Sequence, residues 1–372
     1  MMIRRRAVGG LAAVALMAMT TTPVAAVPGW AGPTQVIRQN YPLSPSLAID
    51  AGGALHVAYL RQSTGDGVPG IFYASNVSGV WAKQRVTTGD DFYARPSIAL
   101  DARGRAWIAF ARVCFTCDPV TSSIFIASNA TGRWVVTRRT SGHADLAPSL
   151  QRQGGALHLA FARQGAGVYY ATNEGGTWRT NLVASAVGAC PLDQFPSLEV
   201  DASGEAWVAY EEPRRIRLCN GTTSGIRVAR NSSGSFVPQT VSSNTEDFMP
   251  DLALDSLGRP RLVFLRSGVG TYYARKVAGT WTRELVTDGG DASLAIDSNG
   301  SAHVVFETPY VTYATNRSGS WIATPLTDYG IDFGTASGPR VELHEGTPYV
   351  VFGRSEGDGT EESLGLYEAH RL

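Results

Sequence analysis

The chain has 372 residues, 44% of them hydrophobic, with 32 basic residues against 32 acidic ones. That length exceeds what one ordinary core sustains, about 250–300 residues. The even charge balance excludes the basic excess of a nucleic-acid binder.

In chain order, residues 1–26 read as a secretory signal. Arg4, Arg5 and Arg6 supply the positive start, and Ala7–Met19 is a short apolar run. Val24-Ala25-Ala26 offers small residues for cleavage. The apolar run is shorter than the ~20 residues a membrane span needs, and no other stretch would span. We therefore expect export, removal of the signal near Ala26, and a mature domain over residues 27–372. Without the signal, 29 basic and 32 acidic residues remain, a net charge of −3.

Gly29-Trp30 and Val36-Ile37 next resemble an outer strand that lacks partners. From Pro45 a phrase begins that recurs: Pro-Ser-Leu-Ala-Ile-Asp. It returns at Pro96, Pro148, Pro196, Pro250, Ala292 and Pro339, at intervals of 51, 52, 48, 54, 42 and 47 residues. A period of that size made only of short strands predicts a β-propeller. Each repeat reads as four strands. The first alternates, with Leu47 and Ile49 on one face, and ends in Asp-x-x-Gly (Asp50/Gly53, Asp101/Gly104, Asp201/Gly204, Asp255/Gly258, Asp297/Gly300). Aspartate caps such a turn and glycine supplies its left-handed residue. The second strand (HVAYLR, WIAFAR, HLAFAR, WVAYEE, RLVFLR, HVVFET, YVVFGR) is apolar on both faces, as a strand sandwiched between neighbouring blades must be.

The seventh repeat runs out after its third strand, at Leu372. Pairing the orphan N-terminal strand with it, near Leu366–Ala369, would close the ring and remove free sheet edges. The expected fold is thus all-β, a seven-bladed β-propeller of four-stranded blades completed by the N-terminal strand, as one domain and a monomer.

Asn173-Glu-Gly-Gly-Thr-Trp178 lies between strands three and four. It resembles the Asp-box, S-x-D-x-G-x-T-W, of sialidases and related bacterial propeller repeats. The same spacing recurs at Asn76/Trp81, Asn129/Trp134, Asn316/Trp321 and Asn231/Phe236, while Lys276 precedes Trp281. Asparagine replaces the box aspartate, and the glycine usually falls one residue late, as at Gly79, Gly132, Gly234, Gly279 and Gly319. The resemblance implies a structural turn opposite the ligand face, with the aromatic wedged between blades. A sialidase would also have an arginine triad, a tyrosine nucleophile with its glutamate, and an aspartate acid/base. The family's early Arg-Ile-Pro is absent and its rings have six blades, so no catalytic residue carries over.

Chemistry is expected on the face opposite the Asp-x-x-Gly turns, where the irregular loops and all four cysteines fall. An even cysteine count in an exported chain favours disulfides, and the expected pairs are Cys114–Cys117 and Cys190–Cys219. No metal site is expected, since nothing completes the Cys-x-x-Cys spacing, and no cofactor motif appears. Arg61, Arg112, Arg163, Arg266 and Arg354 end the second strands of five blades, with Glu211-Glu212 and Glu307 in the other two. Guanidinium forks suit carboxylate or sulfate. One reading makes the arginines a ring for an anionic saccharide, with Glu211, Glu212 and Glu307 as candidate acid/base groups. The other pairs the arginines with Asp145, Asp193 and Asp247 as scaffolding. His56, His158 and His303 share one repeat position with tryptophans and a tyrosine, so packing explains them. Two functions fit: a carbohydrate-recognising propeller, either a glycoside hydrolase or a polysaccharide lyase, or a non-catalytic lectin-like or protein-binding one.

Overall fold

A computed structural model describes the chain from residue 27 onward, except residues 39–41, 62–67, 90–91, 115–116, 118–120, 186–194, 214–222, 233, 309, 331–337 and 355–364. Its strands form seven four-stranded antiparallel sheets, each running outward from an innermost first strand. Six sheets use consecutive strands. In the seventh, the N-terminal strand Trp30–Arg38 is the outermost member, beside the C-terminal strand Gly365–Arg371. Thr34 lies opposite Glu368 and Ile37 opposite Leu366. The expected closure is therefore the observed one. No helix among the described residues is long and apolar enough to cross a membrane.

Hydrophobic burial holds the blades together face to face. Fully buried aromatics occupy one position of every second strand except the fourth blade's, where Tyr210 is 3% exposed: Tyr59, Phe110, Phe161, Phe264, Phe306 and Phe352. The box aromatics wedge between blades as expected. Trp134 packs edge-on against Tyr73 of the preceding blade at 5.2 Å, and Trp321 against Tyr273 at 5.5 Å. Trp30 does the same for the closing blade, 4.8 Å from Tyr313.

Polar side chains fix the turns. The Asp50 carboxylate accepts the Gly52 and Ala54 amides, both at 2.9 Å, while Gly53 takes φ 82°. The box asparagines have a specific task. Asn76, Asn129, Asn173 and Asn316 each accept the backbone N–H that starts their own second strand, at 2.7–2.8 Å. The carboxamide oxygen does this as well as a carboxylate would, which accounts for the asparagine in the degenerate box. The three repeat-equivalent histidines are buried and hydrogen-bonded to the third-strand tyrosine at 2.6 Å: His56–Tyr73, His158–Tyr170 and His303–Tyr313. In the first and sixth blades the ring also reaches the turn aspartate, Asp50 or Asp297.

Candidate functional site

The first strands of the blades wall an axial cavity of about 220 Å³. Its outermost layer comes from the residue before each repeated proline: Ser44, Arg95, Ala147, Phe195, Met249 and, before Ala292, Asp291. The seventh blade has Gly338 there. Ser44, Arg95, Ala147 and Met249 adopt φ of 46–50°, and each sits at a register shift between strands one and two. These are β-bulges, and the following proline suits them because it has no N–H to donate. A left-handed residue other than glycine costs of order 1 kcal/mol or more. Four blades bear that cost at the rim of the channel, where bulges re-aim side chains. The Arg95 guanidinium lies 3.8 Å from the Phe195 ring centroid.

One layer deeper stand Ser46, Ser97, Ser149, Ser197, Asp251, Ser293 and Arg340. This layer is mostly scaffold. Each of the first six accepts a backbone N–H from the next blade: Ile98 to Ser46 at 3.1 Å, Leu150 to Ser97 at 2.9 Å, Leu198 to Ser149 at 3.1 Å, Leu252 to Ser197 at 3.0 Å, Leu294 to Asp251 at 2.9 Å and Val341 to Ser293 at 3.4 Å. Arg340, at the last junction, has no acceptor to offer.

The third layer replaces the usual alanine with Gln151, Glu199 and Glu342. Gln151 donates to the Glu199 carboxylate at 3.1 Å, and the Ser197 hydroxyl donates to Asp251 at 3.0 Å. Burial, followed by the charges of Glu342 and Asp251, holds Glu199 well above the usual carboxylate range. Burial and then the Asp251 charge push Glu342 up to about 8. The Glu342 side chain is exposed to the lumen but ringed by protein, so its anion is less well solvated than at the outer surface. Burial also raises Asp251, against the lowering pull of Arg340 and of its two hydrogen bonds.

The nominated charges stand one strand farther out. None of Arg61, Arg112, Arg163, Arg266, Arg354, Glu211, Glu212 and Glu307 lines the described cavity; the first strands lie between them and the axis. Arg163 grips buried Asp145 through two bonds, 2.7 and 3.1 Å, and lies 4.6 Å from the Tyr169 ring. Arg266 repeats this with Asp247, 2.6 and 3.0 Å, and Tyr272, 4.2 Å. These aspartates raise the pKa of both arginines. The pairs lie in register within one blade, so they clamp strand one to strand two and do not join neighbouring blades. Arg112 is exposed, with Phe125 at 5.7 Å. Arg61 and Arg354 are half-buried. Glu211 is 5% exposed and accepts the Met249 N–H at 2.7 Å, supporting that bulge from the neighbouring blade. Glu212 pairs with Arg227 at 2.5 Å, and Glu307 is buried. Cys114 and Cys117 form a disulfide; Cys190 and Cys219 lie outside the described residues. Among the described residues, no cluster of histidine, cysteine and carboxylate could hold a metal ion.

A signal for the cavity residues was present in the repeat alignment. The column before the proline reads Ser, Arg, Ala, Phe, Met, Asp and Gly, and the alanine column breaks at Gln151, Glu199 and Glu342. Columns that repeat build the scaffold; columns that vary at equivalent places make the cavity wall asymmetric.

No protein family model matches the sequence, and no curated protein does. Solved structures do match in fold. One is a protein of unknown function from Dyadobacter fermentans, 13% identical, covering 92% of this chain and 98% of that one, with a TM-score of 0.55. Another is an α-L-arabinanase of Penicillium chrysogenum complexed with arabinobiose, 14% identical over 94% and 98%, TM-score 0.53. A third is an ulvan lyase, from a new family of polysaccharide lyases, bound to a saccharide of glucuronate and sulfated rhamnose; it is 11% identical over 92% and 95%, TM-score 0.56. The chain is thus a seven-bladed β-propeller whose fold is similar to those of an arabinanase and a polysaccharide lyase.

Proposed function

We propose that this is an exported, carbohydrate-recognising propeller whose ligand enters the axial cavity from the bulged rim. The observation that carries this reading is the rim itself. Six blades present six different side chains at one equivalent position, around one cavity. A lectin built on equivalent sites between blades would repeat its contacts instead. The volume suits a single sugar unit better than a large ligand, being below the ~300–1,000 Å³ of typical drug-sized sites. Phe195 and Met249 give apolar surface, and Ser44, Arg95, Asp291 and Arg340 give polar contacts. The likeness to an arabinanase and an ulvan lyase supports the reading at the level of fold analogy.

The ligand we favour is a saccharide carrying a carboxylate or sulfate. Arg95 and Arg340 are the two guanidiniums on the described cavity wall, and they take the role first considered for the second-strand arginines. The test is retention of the purified protein on immobilised ulvan and arabinan, followed at rising salt. Ulvan retention that weakens with salt is expected. Retention on arabinan alone would overturn the anionic ligand, and retention on neither, nor on other plant or algal glycans, would overturn carbohydrate recognition. N-terminal sequencing of the protein from culture medium tests export, with a start near Val27 expected.

A further inference from the structure

The layers of the cavity differ in how tightly they hold their carboxyls. Asp251 is fixed, accepting the Leu294 amide at 2.9 Å and the Ser197 hydroxyl at 3.0 Å. Glu199 is tied to the Gln151 amide at 3.1 Å. Glu342 has no hydrogen-bond partner among the described residues, and its side chain is exposed to the lumen. It comes from the seventh blade, whereas Asp251 and Glu199 come from the fifth and fourth. The cavity reaches this layer and takes no lining residue beyond it along the inner strands. A sugar seated at the rim would therefore direct its next linkage toward one untethered carboxyl, with an anchored one on another blade.

We infer that Glu342 is a proton donor, and Asp251 its partner base, in hydrolysis of a glycosidic bond held in the axial cavity. The inference rests on the reading that a saccharide enters there. Glu342 gives its proton to the glycosidic oxygen as that oxygen's bond to the anomeric carbon breaks. A water molecule forms the new bond to that carbon and passes a proton to the Asp251 carboxylate. One water is consumed, and the proton returns from Asp251 to Glu342 through lumen water. A donor must hold its proton near neutral pH, and the crowding of Glu342 by other carboxyls favours that state.

The probes are ulvan and arabinan oligosaccharides with 4-nitrophenyl β-D-glucuronide and α-L-arabinofuranoside, assayed with wild type and Glu342→Gln from pH 5 to 9. Wild type should release reducing ends. Glu342→Gln should lose about 10²–10⁴-fold in kcat on the oligosaccharides, with KM within about threefold. It should lose far less on the nitrophenyl sugars, because nitrophenolate leaves without a proton. A purely structural role would depress both substrates alike, and that result overturns the inference. Oligosaccharides retained without released ends overturn it too, while leaving carbohydrate recognition standing. Neither retention nor release overturns both.

Discussion

Arg95 of the second blade lays its guanidinium 3.8 Å from the ring centroid of Phe195 in the fourth blade. The blade between them contributes only Ala147 to that layer, so the arginine crosses the rim unobstructed. A guanidinium on an aromatic face contributes about 0.5–1 kcal/mol at exposed sites and about 2 kcal/mol when desolvated, and half-buried Arg95 falls between these. Arg95→Ala should therefore lower the melting temperature by only a few degrees, at about 2–4 °C per kcal/mol. If Arg95 meets an anionic group of the ligand, the same change should weaken ulvan oligosaccharide binding by about 1–3 kcal/mol, measurable by calorimetry. Unchanged affinity would remove Arg95 from the site.

Arg163 should behave in the opposite way. Its partner Asp145 is 0% exposed and accepts both guanidinium bonds. Arg163→Ala would strand a buried carboxylate, and breaking such a pair costs about 3–5 kcal/mol. Urea unfolding should show that loss at pH 7. The Asp145→Leu, Arg163→Leu double variant should recover part of it, since no lone charge remains. A single variant as stable as wild type would show that the clamp is dispensable.

These two arginines mark what was legible in the sequence. The repeat length, the blade count, the closure by Trp30–Arg38 and the structural role of Asn173 and Trp178 all follow from periodicity and turn chemistry, because scaffold features recur from blade to blade. Recurrence also drew attention to Arg163 and Arg266, although a residue repeated in register serves the repeat. The candidate site lies where repetition fails, at Arg95, Phe195, Glu199 and Glu342. Their importance depends on radial distance from the axis, and a linear pattern does not encode that distance until the blades are stacked. Nor does any spacing reveal that Gln151 would steady Glu199 across a blade boundary.

Closure depends on the first described strand. Trp30 is 6% exposed and Ile37 7%, and the pairing with Gly365–Arg371 covers the last edge of the seventh blade. Deleting residues 27–38 should expose that edge and remove the Trp30–Tyr313 contact. We expect aggregation, or a melting temperature lowered by 10 °C or more, an order of magnitude that follows from about 1 kcal/mol per 2–4 °C. A soluble deletion variant with normal melting would refute the closing role.

The buried histidines give the fold an acid limit. Burial lowers the pKa of His56, His158 and His303 below 6.5, against the raising pull of Asp50 on His56, of the Gln153 backbone and Glu174 on His158, and of Asp297 on His303. The unfolded chain therefore binds protons near pH 6.5 that the folded chain refuses. Stability is full above pH 6.5 and falls as the pH drops below it. Asp50 and Asp297 have lowered pKa values, so their share persists above 3.8 and is lost only on further acidification. The melting temperature should decline between pH 6.5 and 5, and His303→Phe should flatten that decline. An equal slope in the variant would assign the acid limit elsewhere.

Glu342 works in the other direction. Its folded pKa, about 8, lies above its ordinary value of 4.5, so the folded protein holds a proton that the unfolded chain releases. The favourable contribution is complete below pH 4.5 and is lost as the pH rises through about 8. Above that, an ionised Glu342 faces the carboxyls of Asp251 and Glu199 with no hydrogen-bond donor of its own among the described residues. Glu342→Gln keeps the shape and removes the charge. The variant should melt close to wild type at pH 4.5 and above it at pH 8.5, the gap opening between those values. Carboxyl infrared bands give a second measure, since wild type should lose a protonated-carboxyl signal near pH 8 that the variant lacks. A gap that stays constant with pH would mean that lumen water solvates Glu342 as well as bulk water does, and its proton would then be gone at neutral pH.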